Sequence, residues 1–109
     1  MQEGNCAGGV IVPLQDSSRI SGTSLMGWLG EVTSREVEEF AKRRGLTLIE
    51  SNDHDRGYFE EYDCEIDGKP FSVYDRFGRW RFGCHPEDQA AVAWALMNEG
   101  FSVSIRQQS

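Results

Sequence analysis

The sequence lacks any long run of apolar residues, and it lacks an N-terminal basic segment followed by an apolar one. A membrane-spanning helix needs about 18 consecutive apolar residues, and a secretory signal needs the second pattern. Cysteine is also sparse, because Cys6, Cys64 and Cys84 form an odd set that does not make a disulfide framework. We therefore expect a cytoplasmic protein with free thiols and no contact with membranes.

Positive charge is scarce as well. The chain has 11 Lys and Arg residues against 18 Asp and Glu residues, which gives a net charge of −7. Proteins that bind nucleic acid directly present a basic face to the phosphates. The composition therefore argues against direct nucleic-acid binding and favours a basic partner protein.

Catalytic motifs are missing too. Residues 27–30 (Gly-Trp-Leu-Gly) lack the spacing and the preceding strand of a phosphate-binding loop. Cys84 stands beside His85, and a thiol next to an imidazole could form a nucleophile and its base. Catalytic pairs are usually distant in the chain, so we expect Cys84 to end a strand facing inward and His85 to cap the next helix. The sequence thus predicts no enzyme and no cofactor.

A metal site is not indicated either. Asp53, His54 and Asp55 could in principle meet His85, but this local pattern has no recognised ligand spacing. The composition of residues 51–57 is typical of a solvated loop. We therefore predict no bound metal.

The length of 109 residues fits one domain with one core. Residues 1–24 are rich in Gly, Ser, Asn and Gln and predict a loosely ordered N-terminal segment. Residues 25–109 form the predicted α+β domain. Residues 24–30 are apolar but interrupted by glycines, which favours a short helical turn or a docked loop.

The first predicted helix covers residues 34–44. Thr33 and Glu36 have the spacing of a capping box, in which each side chain accepts a hydrogen bond from the other residue's backbone amide. Gly45 supplies the left-handed residue that commonly ends a helix.

The second predicted helix covers residues 86–98. Pro86 suits the first helical position because its missing N–H would have no partner there. We expect Trp94, like Trp80, to lie in the core. The apolar stripe of this helix consists of Ala90, Ala93, Trp94 and Met97.

Strands are indicated by runs of alternating apolar and polar residues. Asp-Gly at residues 67–68 and Phe-Gly at residues 77–78 separate such runs in the manner of antiparallel hairpins. The fold class that follows is α+β: a small mixed, mostly antiparallel sheet, with a three-stranded meander plus flanking strands, and two helices packed on one face. The predicted strands cover residues 46–49, 58–67, 70–75, 79–84 and 101–105.

The negative charge is concentrated in one short segment. Residues 50–67 contain eight acidic residues and one base, Arg56, so the rest of the chain is neutral. Four of these acids alternate along one predicted strand face, at a spacing of about 6.5–7 Å that resembles the spacing of phosphates along a DNA strand. Three arginines of the same meander could neutralise part of this row by diagonal pairing. The four acids are Glu61, Asp63, Glu65 and Asp67, and the arginines are Arg76, Arg79 and Arg81.

These observations predict a non-catalytic acidic binding protein. Small acidic inhibitors, such as phage anti-defence and anti-CRISPR proteins or toxin immunity proteins, share this size and charge. We expect the chain to occupy a basic, nucleic-acid-handling surface of a partner. The predicted contact residues are Glu61, Asp63, Glu65 and Asp67, with Asp53 and Asp55 at the margin and Trp28 and Met26 as a secondary apolar contact.

Two alternatives stay open at this level. One is a small enzyme or ligand-binding protein that uses Cys84, His85 and His54. The other is a homo-oligomeric assembly module that pairs through an exposed strand, either at residues 10–12 or at residues 101–105.

Overall fold

The computed structural model describes residues 9–53 and 57–107, with only the backbone at Asp53. It contains a seven-stranded, antiparallel sheet and two α-helices, which confirms the α+β class. The longest described helix has 11 residues, and none of the described helices is long and apolar enough to cross a membrane. The elements are β1 Val12–Pro13, β2 Ser24–Leu29, α1 Ser34–Arg44, β3 Ile49–Asp53, β4 Gly57–Ile66, β5 Lys69–Arg76, β6 Arg79–Cys84, α2 Gln89–Asn98 and β7 Val103–Ile105, with 3₁₀ turns at Ser17–Ile20 and Pro86–Asp88.

The strands lie in the order β1-β4-β5-β6-β2-β7, and β3 also pairs with β4. β4 is the longest strand. Its edge away from β5 pairs with β3 along the first half of the strand and with β1 near the end. β2 is antiparallel to both β6 and β7, so β6 and β7 run parallel to each other with β2 between them. The chain thus crosses over from β6 through α2 to β7.

β2 differs from the predicted helical turn or docked loop at residues 24–30. Its residues pair with β6 on one side and with β7 on the other. Gly27 lies where a Cβ atom would collide with the Phe82 ring and with the Ser104 carbonyl oxygen. The glycine therefore permits the close approach of strands, which local sequence does not reveal.

The core lies against one face of the sheet. Its strand residues alternate along β4, β5 and β6, as the sequence pattern predicts, and they join the buried residues of both helices in one cluster. Ile11, just before β1, is also part of this cluster and is 2% exposed. The buried strand residues are Tyr62, Cys64, Ile66, Phe71, Val73, Trp80, Phe82 and Cys84.

The prediction that Trp94 lies in the core is wrong, since its side chain is 48% exposed. α2 turns a different stripe inward, which is centred on Val92, Ala93 and Leu96. Trp94 and Met97 lie on the side of the helix that is exposed to solvent. α2 is apolar on nearly all sides, so its sequence does not mark the buried stripe uniquely.

Ion pairs connect the C-terminal ends of the two helices. Arg43 Nη2 lies 3.2 Å from Glu99 Oε1, and Arg44 Nη2 lies 2.7 Å from Glu99 Oε2. The Glu99 side chain is only 7% exposed. A carboxylate with so little access to water needs such partners, and both guanidinium groups supply them.

The predicted capping box of α1 is confirmed. The Glu36 amide donates to Thr33 Oγ1 at 3.1 Å, and the Thr33 amide donates to Glu36 Oε1 at 2.9 Å. Gly45 ends the helix with a φ of 69°, in the left-handed region. The local sequence therefore fixes both ends of α1.

Thr33→Ala is expected to lower the free energy of unfolding by about 1 kcal/mol, because the Glu36 amide loses its side-chain acceptor. Urea denaturation followed by circular dichroism measures this change. Ser34→Ala is the control, since Ser34 lies one residue inside the helix and outside the capping box. Equal losses in the two variants would mean that the cap contributes nothing specific.

Candidate functional site

The four predicted contact acids on β4 do not form a uniformly exposed ribbon. Asp67 is exposed in the turn between β4 and β5. Glu65 is mostly covered and forms an ion pair with Arg19, whose Nη1 lies 2.9 Å from Glu65 Oε1. Glu61 and Asp63 are half-buried. The charge that these residues project into solvent is therefore smaller than the sequence alone predicts.

Glu61 and Asp63 form a hydrogen-bonded carboxyl pair on the sheet face that is opposite to the core, which we call the second face. Burial raises the pKa of Glu61 to about 8, and a hydrogen bond and charge repulsion from Asp63 add to the effect. Glu61 thus holds a proton at neutral pH. Asp63 Oδ1 is buried and has no hydrogen-bond partner among the described residues.

A chain segment crosses this second face, residues 14–23, which we call the strap. Arg19 holds it in place, because its guanidinium pairs with Glu65 and also donates to the Gly68 carbonyl oxygen. The Leu14 amide donates to the Asp63 carbonyl oxygen at 3.2 Å. The strap covers part of the second face and leaves a cavity beside it.

The cavity has a volume of about 350 Å³. Glu61 lines it, and the Arg76 guanidinium lies 5.8 Å from the centre of the Phe59 ring at the same cavity. The lining is mixed, with carboxyl, hydroxyl, guanidinium and apolar groups. It comprises Ile20, Thr23, Ser24, Leu25, Phe59, Glu61, Ser72, Tyr74, Arg76 and Gly83.

The arginines that the sequence places near the β4 acids do not form ion pairs with them in the described part of the chain. Arg76 stacks near Phe59, and Arg81 Nε is buried without a hydrogen-bond partner among these residues. Arg79 is exposed near the turn between β5 and β6. The positive charge that pairs with a β4 acid comes instead from Arg19 of the strap, which lies 46 positions before its partner Glu65 in the sequence.

A second group of acids lies across the strands, and we call it the acidic row: Glu50, Glu60 and Asp75. Glu50 of β3 is directly opposite Glu60 of β4, which is directly opposite Asp75 of β5. Adjacent strands are about 4.8 Å apart, whereas alternate residues along one strand are about 6.5–7 Å apart. Neighbouring residues of the acidic row are therefore closer together than successive acids on one face of β4. No ion pair to any of the three exists among the described residues.

Tyr58 joins the acidic row through its hydroxyl. The hydroxyl donates to Glu50 Oε1 at 2.6 Å and lies 3.0 Å from Glu60 Oε2. The hydrogen bond to Glu50 raises the pKa of Tyr58, and burial and Glu60 raise it further. Glu38 of α1 extends the negative region, since its charge and that of Glu60 add to the effect of burial in raising the pKa of Tyr62.

The sequence did not reveal the acidic row because the row depends on strand register. The predicted strand at residues 46–49 stops before Glu50, whereas β3 covers Ile49–Asp53. The backbone of Asp53 in β3 pairs with that of Gly57 in β4. His54 and Asp55 lie outside the described residues. Among the side chains that the structure describes, no group of three or more His, Cys, Asp and Glu could hold a metal ion.

Cys84 does not have the properties of an activated nucleophile. It is fully buried at the end of β6, and burial raises its pKa to about 12, with further contributions from Asp88 and Glu87. A reactive thiol needs access and a lowered pKa. His85 occupies the position before the 3₁₀ turn without a capping hydrogen bond from its side chain, and its Nε2 lies 3.4 Å from the Arg19 carbonyl oxygen.

Met26 and Trp28, which the sequence predicts as a secondary apolar contact, differ in burial. Met26 is 3% exposed and belongs to the core, whereas Trp28 is half-buried on the second face, opposite Arg81. For the assembly alternative, β7 is the last strand of the described sheet, and its Ile105 is 44% exposed.

Comparisons of the chain with protein-family models, with curated proteins and with solved structures returned no match. The geometry of the molecule is therefore the basis for the functional argument.

Proposed function

We propose that this chain is a non-catalytic binding protein whose acidic row contacts a basic surface of a partner protein. The observation that carries the proposal is the alignment of Glu50, Glu60 and Asp75 on three adjacent strands. Like charges directly opposite one another destabilise a sheet. Lys and Arg side chains of a partner would relieve this repulsion, so the row is better suited to a complex than to the free protein.

The charge distribution gives the partner its chemistry. The net charge of −7 arises within residues 50–67, and the acidic row draws two of its three members from that segment. Asp67 adds exposed charge at the other end of β4. Basic surfaces that bind nucleic acid are a natural target, as for phage inhibitors of defence systems and for immunity proteins of nuclease toxins. Such complementarity raises the association rate and makes it depend on salt.

Replacing two members of the row, the exposed Glu50 and the half-buried Glu60, as Glu50→Gln with Glu60→Gln, is expected to weaken binding to a basic partner about tenfold at low salt. The partner would be captured from the native host with the tagged chain, identified and produced pure. Surface plasmon resonance at low and high salt then measures the association rate and the affinity.

The matched control is Glu31→Gln with Glu87→Gln, which removes the same charge from two exposed positions outside the acidic row. It should change affinity less than twofold. Equal weakening by both double variants would show that net charge alone matters, and unchanged binding by the first would show that the row is not the contact surface.

A further inference from the structure

We propose that the end of the second face beside the β5–β6 turn binds single-stranded nucleic acid, through three arginines and the aromatic residues between them. These residues lie on β2, β4, β5 and β6, and we call them the arginine–aromatic patch. The patch consists of Trp28, Phe59, Tyr74, Arg76, Arg79 and Arg81. It faces away from the acidic row, because Tyr74 and Arg76 alternate with Asp75 along β5. The proposal is therefore independent of the proposed protein contact.

Strand register brings positive and aromatic side chains together on this face. Tyr74 of β5 is directly opposite Arg81 of β6, which is directly opposite Trp28 of β2. One step closer to the turn, Arg76 is directly opposite Arg79. The patch extends over four adjacent strands, from β4 to β2, which corresponds to about 14 Å.

The three arginines have no acidic partner among the described residues. Like charges directly opposite one another destabilise a sheet, and Arg76 and Arg79 are such a pair. Arg81 Nε is buried and has no hydrogen-bond acceptor in the described part of the chain. A buried donor without an acceptor is unfavourable, and phosphate oxygens are strong acceptors for guanidinium groups. A phosphodiester backbone thus supplies what the patch lacks.

The acids of the second face do not cancel this positive charge. Glu61 holds a proton at neutral pH, since its pKa is about 8, and it is hydrogen-bonded to Asp63. Glu65 is paired with Arg19 of the strap. The acidic row projects from the opposite face, and salt screens exposed charges over about 8 Å at physiological ionic strength. The net charge of −7 describes the whole chain, whereas the arginine–aromatic patch is locally positive.

The aromatic side chains favour a single strand over a duplex. Trp28, Phe59 and Tyr74 are half-buried, so part of each ring is open to solvent. Bases stack on the rings of a sheet face when they are free of a duplex, and such faces hold two or three bases. Arg76 lies over the Phe59 ring, with its guanidinium carbon 5.8 Å from the ring centre, and bases also stack on guanidinium planes.

The cavity beside the strap adjoins the patch. Phe59, Tyr74 and Arg76 belong to its lining, and its volume is about 350 Å³. This volume is within the range of small-molecule pockets, so the cavity can take one base. The hydroxyl groups of Thr23, Ser24 and Ser72 line the same cavity and can form hydrogen bonds with the edge of that base.

The test is fluorescence anisotropy of a labelled oligothymidylate of about 12 nucleotides, titrated with the whole chain at about 50 mM and about 200 mM salt. For single strands, the logarithm of the affinity falls with the logarithm of the salt concentration by about 0.7 per phosphate contact. Three arginine contacts therefore predict that affinity falls about twentyfold between the two salt concentrations.

Two variants separate phosphate contacts from stacking. Arg79→Gln removes one contact at an exposed position, so binding should weaken and the loss between the two salt concentrations should fall to about sevenfold. Trp28→Leu should weaken binding at least about fivefold with the salt dependence unchanged, because a stacked base is lost. Arg35→Gln is the matched control, since Arg35 is an exposed arginine of α1 outside the patch. It should leave affinity and salt dependence as in the wild-type chain.

An absence of saturable binding up to about 100 µM chain at the lower salt concentration would overturn the proposal. Equal weakening by Arg79→Gln and Arg35→Gln, or equal affinity for a duplex of the same length, would also overturn it. Thymidine monophosphate that competes as strongly as the oligonucleotide would assign the patch to free nucleotides and overturn the single-strand assignment. Glu50→Gln with Glu60→Gln should not weaken oligonucleotide binding, which separates the patch from the acidic row.

Discussion

Phe82→Ala is expected to lower the free energy of unfolding by about 3–5 kcal/mol. Phe82 is fully buried on β6, which pairs with β5 and β2. Its ring occupies the space above Gly27, which has no side chain that could fill the gap. Removal of the ring therefore leaves a cavity that neighbouring residues close only in part. Domains of this size are stable by about 5–15 kcal/mol, so the loss is a large share.

Urea denaturation at 25 °C measures the effect, and Phe77→Ala is the matched control. Phe77 is the same residue type at the turn between β5 and β6, and its side chain is 84% exposed. Its truncation should change stability by less than about 0.5 kcal/mol. Comparable losses in the two variants would contradict the placement of Phe82 at the centre of the core.

Hairpins were the part of the fold that the sequence predicted best, because their signals are local. Asp67 and Gly68 both have positive φ values, 50° and 80°, and so do Phe77 and Gly78, at 59° and 75°. Two successive residues of this kind form the turn whose twist matches paired strands. The alternation of apolar residues on each side then places the core face.

β2 and the acidic row could not be predicted, because both depend on pairing between distant residues. The glycines of β2 weaken local strand propensity, and only β6 and β7 on its two sides make it a strand. Likewise, Glu50, Glu60 and Asp75 come together through register across three strands. Alternation along β4 predicted that Glu61 and Asp63 lie on the same face of the sheet. It did not predict that the strap covers part of that face.

Glu61 gives the fold a pH dependence of its own. Its pKa is about 8 in the folded protein, against 4.5 for an unperturbed glutamate, so the folded protein binds this proton more tightly than the unfolded chain does. The stabilisation from this proton is fully present below about pH 4.5 and is lost as the pH rises to about 8. Because the side chain is only half-buried, we expect a change of about 2 kcal/mol, well below the full value of the shift.

Glu61→Gln should remove that dependence, because the amide resembles the protonated carboxyl and can still donate to Asp63. The variant and the wild-type chain are expected to be equally stable at pH 4, and the variant more stable by about 2 kcal/mol at pH 9. Urea denaturation from pH 4 to pH 9 measures the difference. Glu39→Gln, at an exposed position on α1, should differ from wild type by a nearly constant amount. A difference between Glu61→Gln and wild type that does not vary with pH would mean that Glu61 is ionised throughout, and that the carboxyl pair does not share a proton.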